Sequence, residues 1–188
     1  LRGRPAVFFS GSNRVLVTSG VMGIPAAAGR TVAVIGLTQD TTHRFQYFIQ
    51  GWAGSGGTYF NLDMNTYLTA GSREGVYATN NAYDADLASA AEVRTHVYSI
   101  SSFAPGGALP GVLSYRVSGV PRTLTRTPGG AGNGTVEDFS AANFTAVGAA
   151  VDGFTGALVG DLVVYDRALD GGEAAQVEAY LQGRFPAP

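Results

Sequence analysis

The sequence lacks two residue types altogether. Its 188 residues include no cysteine, which excludes disulfide bonds, thiolate nucleophiles and cysteine-ligated metals. Lysine is also absent, so all 12 cationic side chains are arginines. We interpret this bias as the coding preference of a GC-rich genome rather than as a binding device, although the forked guanidinium offers paired donors that lysine does not.

Strong charge and long apolar runs are missing as well. The formal net charge is -2, so there is no basic field that would attract nucleic acid or an anionic membrane surface. The apolar stretches are no longer than a strand, and no charged segment followed by an apolar one stands at the start, so neither a membrane span nor a signal peptide is predicted within the sequence. We expect the chain to belong to a larger exported protein with neighbouring domains, and to have neither nucleic acid nor a membrane as its partner.

Glycine and short β-prone segments dominate what is present. The 27 glycines and 8 prolines divide the chain into pieces of strand length that show alternation or β-branched residues. The predicted strands are 5–9, 13–18, 31–37, 43–52, 58–63, 74–78, 93–100, 112–118, 120–126, 144–150 and 157–166. This pattern predicts one all-β domain over residues 1–188, with a short helix over 82–91 on one side of it.

The C-terminal segment carries the clearest local signals. A β-prone strand through Tyr165 leads to Asp170, and Glu173 follows three residues later, which is the spacing of a helix capping box. The apolar residues that follow recur at helical spacing: Val177, Tyr180, Leu181 and Phe185. We therefore expect a short C-terminal helix that buries one face.

The same segment resembles the last strand and closing helix of the laminin G-like, concanavalin A-like jelly-roll domains of bacterial secreted proteins. The resemblance rests on the run Phe154–Leu169, with its Tyr-Asp-Arg-Ala-Leu motif, on the opening segment Arg4–Asn13, and on residues 113–120. Asp161 stands where that family usually has Glu. The resemblance implies a two-sheet antiparallel jelly-roll sandwich with a short C-terminal helix, located extracellularly or at the cell surface.

Catalysis needs a separate test, because this fold includes glycoside hydrolases and polysaccharide lyases. Retaining hydrolysis needs two carboxyl groups roughly 5 to 5.5 Å apart, which these enzymes commonly place at alternate positions of one strand. No Glu-x-Asp-x-Glu pattern occurs here, neither His43 nor His96 follows a glutamine by two positions as in the lyases, and Gly-x-Ser-x-Gly is missing. We therefore predict a non-catalytic protein.

Strand alternation predicts a polar face suited to carbohydrate. On strand 43–52, residues 44, 46, 50 and 52 share one face, whereas Phe45, Tyr47 and Ile49 share the other. Polar residues alternate in the same way on strands 93–100 and 112–118. If these strands are neighbours, they form a groove whose amides and guanidinium groups bind hydroxyls and whose rings stack on a sugar. The predicted groove residues are Arg44, Gln46, Gln50, Trp52, Arg94, His96, Tyr98 and Arg116. The alternative is that these are the solvated faces of an antiparallel sheet, or that Trp52 is a core residue.

Calcium is the cofactor that the resemblance implies, since many laminin G-like domains hold Ca²⁺ at the rim of the sandwich with oxygen ligands. Segment 80–86 is the densest group of oxygen-bearing side chains. The candidate ligands are Asp84, Asp86 and Asp152. The alternative at Asp84 and Asp86 is a capped turn or the start of a helix.

These observations lead to an ordered set of functions. The first is a non-catalytic extracellular recognition module that binds a polysaccharide or glycan. The second is a structural or protein-binding adhesion module of a larger secreted or surface protein. The third is a polysaccharide-degrading enzyme.

Overall fold

Two antiparallel β-sheets pack face to face, and a C-terminal helix covers the other side of one of them. The computed structural model describes residues 3–10, 16–19, 28–38, 47–53, 58–63, 73–79, 81–88, 90–127, 132–136, 142–147, 149–150, 153–154 and 156–186. In chain order its elements are β1 (Val7–Ser10), β2 (Leu16–Ser19), β3 (Ala28–Thr38), β4 (Tyr47–Ala53), β5 (Thr58–Asp63), β6 (Arg73–Ala78), β7 (Asn81–Ala88), β8 (Arg94–Ser102), α1 (Leu109–Val112), β9 (Leu113–Val117), β10 (Val120–Arg122), β11 (Thr125–Arg126), β12 (Ala142–Val147), β13 (Ala149–Ala150), β14 (Gly153–Phe154), β15 (Gly156–Tyr165) and α2 (Gly171–Arg184).

The strands form two large sheets and one small pair. One sheet has six strands in the order β1-β15-β3-β8-β9-β10, and the other has seven in the order β11-β7-β6-β5-β4-β12-β2. The described pairings are all antiparallel, including that of β1 with β15 from opposite ends of the chain. This architecture confirms the predicted two-sheet jelly-roll sandwich with a short C-terminal helix.

The central strand β3 is buried on both faces. Val32 and Val34 join the core between the sheets, where they pack in one cluster with Tyr83 of β7. The alternate residues Ala33 and Ile35 belong to a second cluster that includes α2. An uninterrupted apolar run is the sequence signature of a strand covered on both sides, and β3 carries one for that reason.

Helix α2 begins where the capping box predicts. The Asp170 carboxylate accepts hydrogen bonds from the backbone N–H groups of Gly172 and Glu173, each at 2.8 Å, and Glu173 Oε2 accepts from the Asp170 N–H at 3.1 Å. These bonds satisfy backbone donors that the first turn of a helix leaves without a partner. The prediction of a helix starting after Asp170 is confirmed.

The buried face of α2 differs in part from the predicted one. Leu181 and Phe185 are buried, as expected, but Tyr180 is 56% exposed, and Glu178 lies on the buried side. Consecutive helical residues are about 100° apart around the axis, so Tyr180 points away from the stripe that contains Leu181. The prediction for Tyr180 is therefore wrong. Neither described helix has the length and apolarity required to cross a membrane.

Two local predictions fail because tertiary pairing overrides local pattern. The alanine-rich segment 82–91 was expected to be helical, but residues 81–88 form β7, which pairs with β6 on one side and β11 on the other. Tyr83 and Ala85, two positions apart, both face the core. Their burial therefore favours the two-residue repeat of a strand over the repeat of a helix. The predicted strand 120–126 is divided into β10 and β11, which belong to different sheets.

Candidate functional site

Arg94, His96 and Tyr98 share one face of β8, as predicted, but that face is inside the protein. His96 and Tyr98 are each 0% exposed, and the Arg94 side chain is 11% exposed. Strand β8 lies in the middle of the six-stranded sheet, with the second sheet on one side and α2 on the other. The predicted role of these residues in an open groove is therefore wrong.

Arg116 lies on the opposite face from His96 and Tyr98. It pairs with Val97, which packs toward α2. Arg116 Nε donates to Glu178 Oε2 at 2.6 Å and Nη2 donates to Gly119 O at 2.8 Å. Arg116 thus fastens the helix to the β9–β10 hairpin, and its assignment to the same groove as His96 is also wrong.

The remaining predicted groove residues belong to the other sheet or lie outside the described residues. Arg44 and Gln46 are outside them. Gln50 and Trp52 lie in β4, between β5 and β12 of the seven-stranded sheet. Alternation assigns a residue to one face of its strand but not to a particular sheet, which is why the predicted set is divided.

The seven-stranded sheet has a core face and an outer face. Val76 and Tyr83, opposite each other on β6 and β7, belong to the core cluster. Directly opposite residues of an antiparallel pair lie on one face, and the next residue along each strand lies on the other. Tyr77 and its partner Ala82 therefore belong to the face turned away from the core cluster, which we call the outer face; Tyr77 is half-buried and Ala82 is 2% exposed there. The register extends this assignment across β5, β4 and β12.

Three cross-strand rows make up this outer face, and we use the name for these rows below. The central row contains Val17, Ala146, Gln50, Asn61, Tyr77 and Ala82. One flanking row contains Phe144, Trp52 and Tyr59. The other flanking row contains Tyr47, Asp63, Gly75, Asp84 and Thr125. The rows combine aromatic residues with amides and carboxylates, which are residue types that offer flat apolar surface and hydrogen-bonding groups to a sugar.

A β-bulge in β4 changes the face to which Tyr47 belongs. Simple alternation groups Tyr47 with Ile49, on the face opposite to Trp52. In the structure Ile49 pairs with Leu62 whereas Tyr47 pairs with Asp63, and the register shifts between them. Because Leu62 and Asp63 are consecutive on β5, their partners lie on opposite faces. The alternation prediction for Tyr47 is therefore wrong, and the bulge adds a further aromatic residue to the outer face.

The β7 side of the outer face carries a charged edge formed by Arg73, Asp84 and Asp86. Arg73 Nη1 donates to Asp86 Oδ1, and Arg73 Nε lies 3.7 Å from Asp84 Oδ2. The Asp86 N–H donates to Asp84 Oδ1 at 2.6 Å. Burial raises the pKa of Asp84, while the Asp86 N–H and Arg73 act in the opposite direction. The side chain of Asp86 is 87% exposed, so this edge reaches solvent.

The predicted calcium ligands are placed differently by this arrangement. Asp84 and Asp86 lie in strand β7 rather than at a helix start, but the Asp84 carboxylate caps the Asp86 N–H at a break in the β6–β7 register, in agreement with the capped-turn alternative. Both carboxylates face the Arg73 guanidinium. Asp152 lies outside the described residues. Within the described part of the chain no group of three or more histidine, cysteine, aspartate or glutamate residues is suited to hold a metal. Calcium binding stays a prediction, and it would require Arg73 to move away from the two carboxylates.

A polar cluster inside the sandwich was not predicted. Glu74 of β6 is 0% exposed, Arg94 Nη1 donates to its Oε1, and His96 Nδ1 lies 3.9 Å from its Oε2. The Tyr115 hydroxyl lies 2.9 Å from His96 Nδ1. Burial raises the pKa of Glu74 to about 7 despite the Arg94 charge, and burial lowers the pKa of His96 to about 3. One sequence signal was available: Glu74 has the same parity as the apolar residues 76 and 78 of its strand.

The C-terminal motif that carries the family resemblance has a structural role. Arg167 donates from Nη1 and Nη2 to the two carboxylate oxygens of Glu173 at 2.7 and 2.6 Å. Thr31 Oγ1 accepts from the Leu169 N–H at 2.9 Å and donates to Arg167 O at 3.0 Å. The motif therefore builds the joint between β15 and α2.

Asp161, at the acidic position of the motif, also forms a contact that holds α2 against the sheet. Its Oδ2 lies 2.6 Å from Arg184 Nε at the end of α2. The neighbouring Gly160 lies under the Phe185 ring, where an added Cβ would be 2.6 Å from Phe185 Cζ. Together with residues 4–7, these residues line a cleft of about 550 Å³.

The sequence matches no protein-family model and no curated protein. Its fold is similar to those of several solved domains. Domain 4 of AbnA, a GH43 extracellular arabinanase from Geobacillus stearothermophilus in complex with arabinotriose, gives a TM-score of 0.58 at 14% identity, over 93% of this chain and 88% of that chain. The CBM40 of the Ruminococcus gnavus IT-sialidase, bound to alpha2,3 sialyllactose, gives 0.58 at 14% identity, over 93% and 97%. The SAP-like pentraxin from Limulus polyphemus gives 0.60 at 15% identity, over 94% and 81%. At these identities the likeness establishes the fold.

Proposed function

We propose that this protein is a non-catalytic, extracellular carbohydrate-binding module that binds a glycan on the outer face of the seven-stranded sheet. The observation that carries the proposal is the alignment of aromatic and amide positions in adjacent rows across β12, β4, β5 and β6. Aromatic residues in such rows offer flat surfaces on which sugar rings can stack. The rows follow each other at every second residue of strands that rise about 3.3 Å per residue, so their spacing is regular. A glycan chain fits such a repeating surface.

The fold likeness supports the same proposal. The arabinanase domain is in complex with arabinotriose, and the sialidase CBM40 is bound to a sialylated sugar, so two domains of this fold bind oligosaccharides. Four of the described carboxylates have structural surroundings. Glu74 and Glu178 are buried, and Asp84 and Asp86 face Arg73.

Substitution of one stacking residue tests the proposal. A glycan array followed by calorimetry, with calcium and with a chelator, would identify a ligand. Trp52→Ala should then weaken binding roughly tenfold or more, since aromatic anchors at the centre of a site commonly contribute about 2 kcal/mol. Tyr180→Ala is the matched control, because Tyr180 is an exposed aromatic residue on α2, on the far side of the other sheet. Equal effects of the two substitutions, or no binding to any glycan in either condition, would contradict the proposal.

One observation favours the second function, a protein-binding adhesion module. Strand β1 is at the edge of the six-stranded sheet, and Val7 and Phe8 on it are 48% and 47% exposed. Exposed apolar residues on an edge strand suit pairing with another protein. For the third function, incubation with a panel of polysaccharides and a search for new reducing or unsaturated ends is the direct test.

A further inference from the structure

Glu74 connects the two sheets through the core. It is an inward-facing residue of β6, next to a register shift between Glu74 and Gly75, and it contacts Arg94 of β8 in the opposite sheet. A carboxyl group with 0% exposure has lost its hydration, so its charge depends on the groups around it.

The two oxygens of Glu74 have different surroundings. Oε1 accepts from Arg94 Nη1, whereas Oε2 has no hydrogen-bond partner among the described residues and lies 3.9 Å from His96 Nδ1. Arg94 has other acceptors in reach, because its Nη1 also donates to Ala88 O at 3.1 Å and its Nε donates to Glu92. Arg94 therefore holds the β7–β8 connection to β6 through Glu74.

We propose that Glu74 is a proton-dependent latch between the sheets, which holds Arg94 when it is ionised and, when it binds a proton, releases Arg94 to Glu92 and turns its hydroxyl toward His96. The proton comes from solvent, and no other bond is made or broken. Arg94 keeps carboxylate and carbonyl acceptors in both states, so its own charge is never left without a partner.

The groups around Glu74 are consistent with two states. Arg94 of β8 and Arg122 of β10 favour the ionised form, and Glu92 opposes it. Tyr115 of β9 shares the His96 ring nitrogen, so a protonated Glu74 would compete with the Tyr115 hydroxyl for that atom. Burial lowers the pKa of His96 to about 3, so the ring is neutral, and the latch uses the tautomer in which Nδ1 carries no proton and accepts. Burial also raises the pKa of Glu74 to about 7, which is consistent with a proton-dependent change near neutral pH.

Carboxyl-carbon NMR on ¹³C-labelled wild-type protein tests the titration directly. We expect the Glu74 carboxyl carbon to titrate near neutral pH and the Arg94 Nε–H resonance to shift with the same midpoint. Titration of Glu74 near pH 4.5, where an ordinary glutamate titrates, would overturn the proposal. So would an Arg94 resonance that does not follow Glu74.

Hydrogen exchange tests the mechanical consequence. Between pH 8 and pH 5.5 the protection factors of amides 90–94, corrected for intrinsic rates, should fall about tenfold or more, which is the loss expected when a charged hydrogen bond is given up. Glu74→Gln should show the low protection at both pH values. Glu92→Gln, which removes the exposed partner of the same arginine, should still lose protection between pH 8 and pH 5.5. A pH step that persists in Glu74→Gln would refute the latch, and if that variant does not fold, the wild-type NMR titration decides alone.

Discussion

A buried ion pair helps to attach α2 to the six-stranded sheet, and Glu178→Gln is the perturbation that tests its contribution. The Glu178 side chain is 2% exposed. Its Oε2 accepts from Arg116 Nε at 2.6 Å, and its Oε1 accepts from the Gly119 N–H at 2.9 Å. A glutamine keeps the volume but removes the charge and replaces one acceptor with a donor. The variant therefore leaves Arg116 without its counter-ion. It also places the amide NH₂ of the glutamine, a donor, against either Arg116 Nε or the Gly119 N–H, which are donors themselves.

The structure sets the size of the effect. Removal of one partner of a buried ion pair destabilises a protein by about 3 to 5 kcal/mol. Here Arg116 is 16% exposed and keeps its hydrogen bond to Gly119 O, so part of its charge stays solvated. We therefore expect a loss of about 2 kcal/mol in the free energy of unfolding. For a domain of this size that corresponds to a fall in Tm of roughly 4 to 8 °C.

Urea denaturation of Glu178→Gln, Arg116→Met and the double variant forms the assay. A double-mutant cycle should give a coupling energy of about 1 kcal/mol or more between the two positions. Asp161→Asn is the control, since the Asp161–Arg184 pair also joins α2 to this sheet but its side chains are 25% and 55% exposed. Exposed pairs contribute at most about 1 kcal/mol. If Glu178→Gln is no more destabilising than Asp161→Asn, or the coupling is absent, the reasoning is refuted.

Three further predictions concern pH, packing and ligand charge. Burial lowers the folded-state pKa of His96 to about 3, below its unfolded value, so the unfolded state binds the extra proton and the contribution of His96 to stability should fall as pH drops from 6.5 toward 3, opposite in sign to that of Glu74. Urea titrations across this range should show a smaller fall for His96→Gln, and an unchanged slope would contradict the assignment. Gly160→Ala should destabilise by about 1 to 3 kcal/mol because its Cβ meets the Phe185 ring, whereas Gly111→Ala, with nothing within 4 Å, is the control in the same thermal melts. The charged edge has two carboxylates and one guanidinium, so calorimetry on the proposed glycan face should show tighter binding of a neutral oligosaccharide than of a sialylated one, and the opposite order would contradict this.

Local signals in the sequence predict much of the fold. The capping box at Asp170 and Glu173 specifies the start of α2 because both hydrogen bonds form within four residues. Strand 58–63 is predicted with its observed bounds. Such features need no knowledge of distant partners, which is why sequence reasoning finds them.

The candidate site is harder to predict because it depends on which sheet a strand joins. Arg94, His96 and Tyr98 alternate as the residues of a half-exposed strand do, but β8 lies in a sheet that is covered on both faces. The bulge at β4 shifts Tyr47 to the other face, and no residue pattern in the sequence marks it. Strand alternation is a local property, whereas sheet membership and bulges arise from pairing between distant segments.

The two sheets therefore use polar residues in different ways. On the six-stranded sheet, α2 packs on one side and the core on the other, so a polar side chain that is buried there needs an internal partner. Arg116 pairs with Glu178, Arg94 with Glu74, and Thr31 with Ser99 at 2.6 Å. Arginine suits this use because its fork reaches two acceptors at once, and Arg116 and Arg94 each do so. The buried polar residues of this sheet thus attach it to α2 and to the second sheet, and we would search for a glycan on the rows through Gln50 and Trp52.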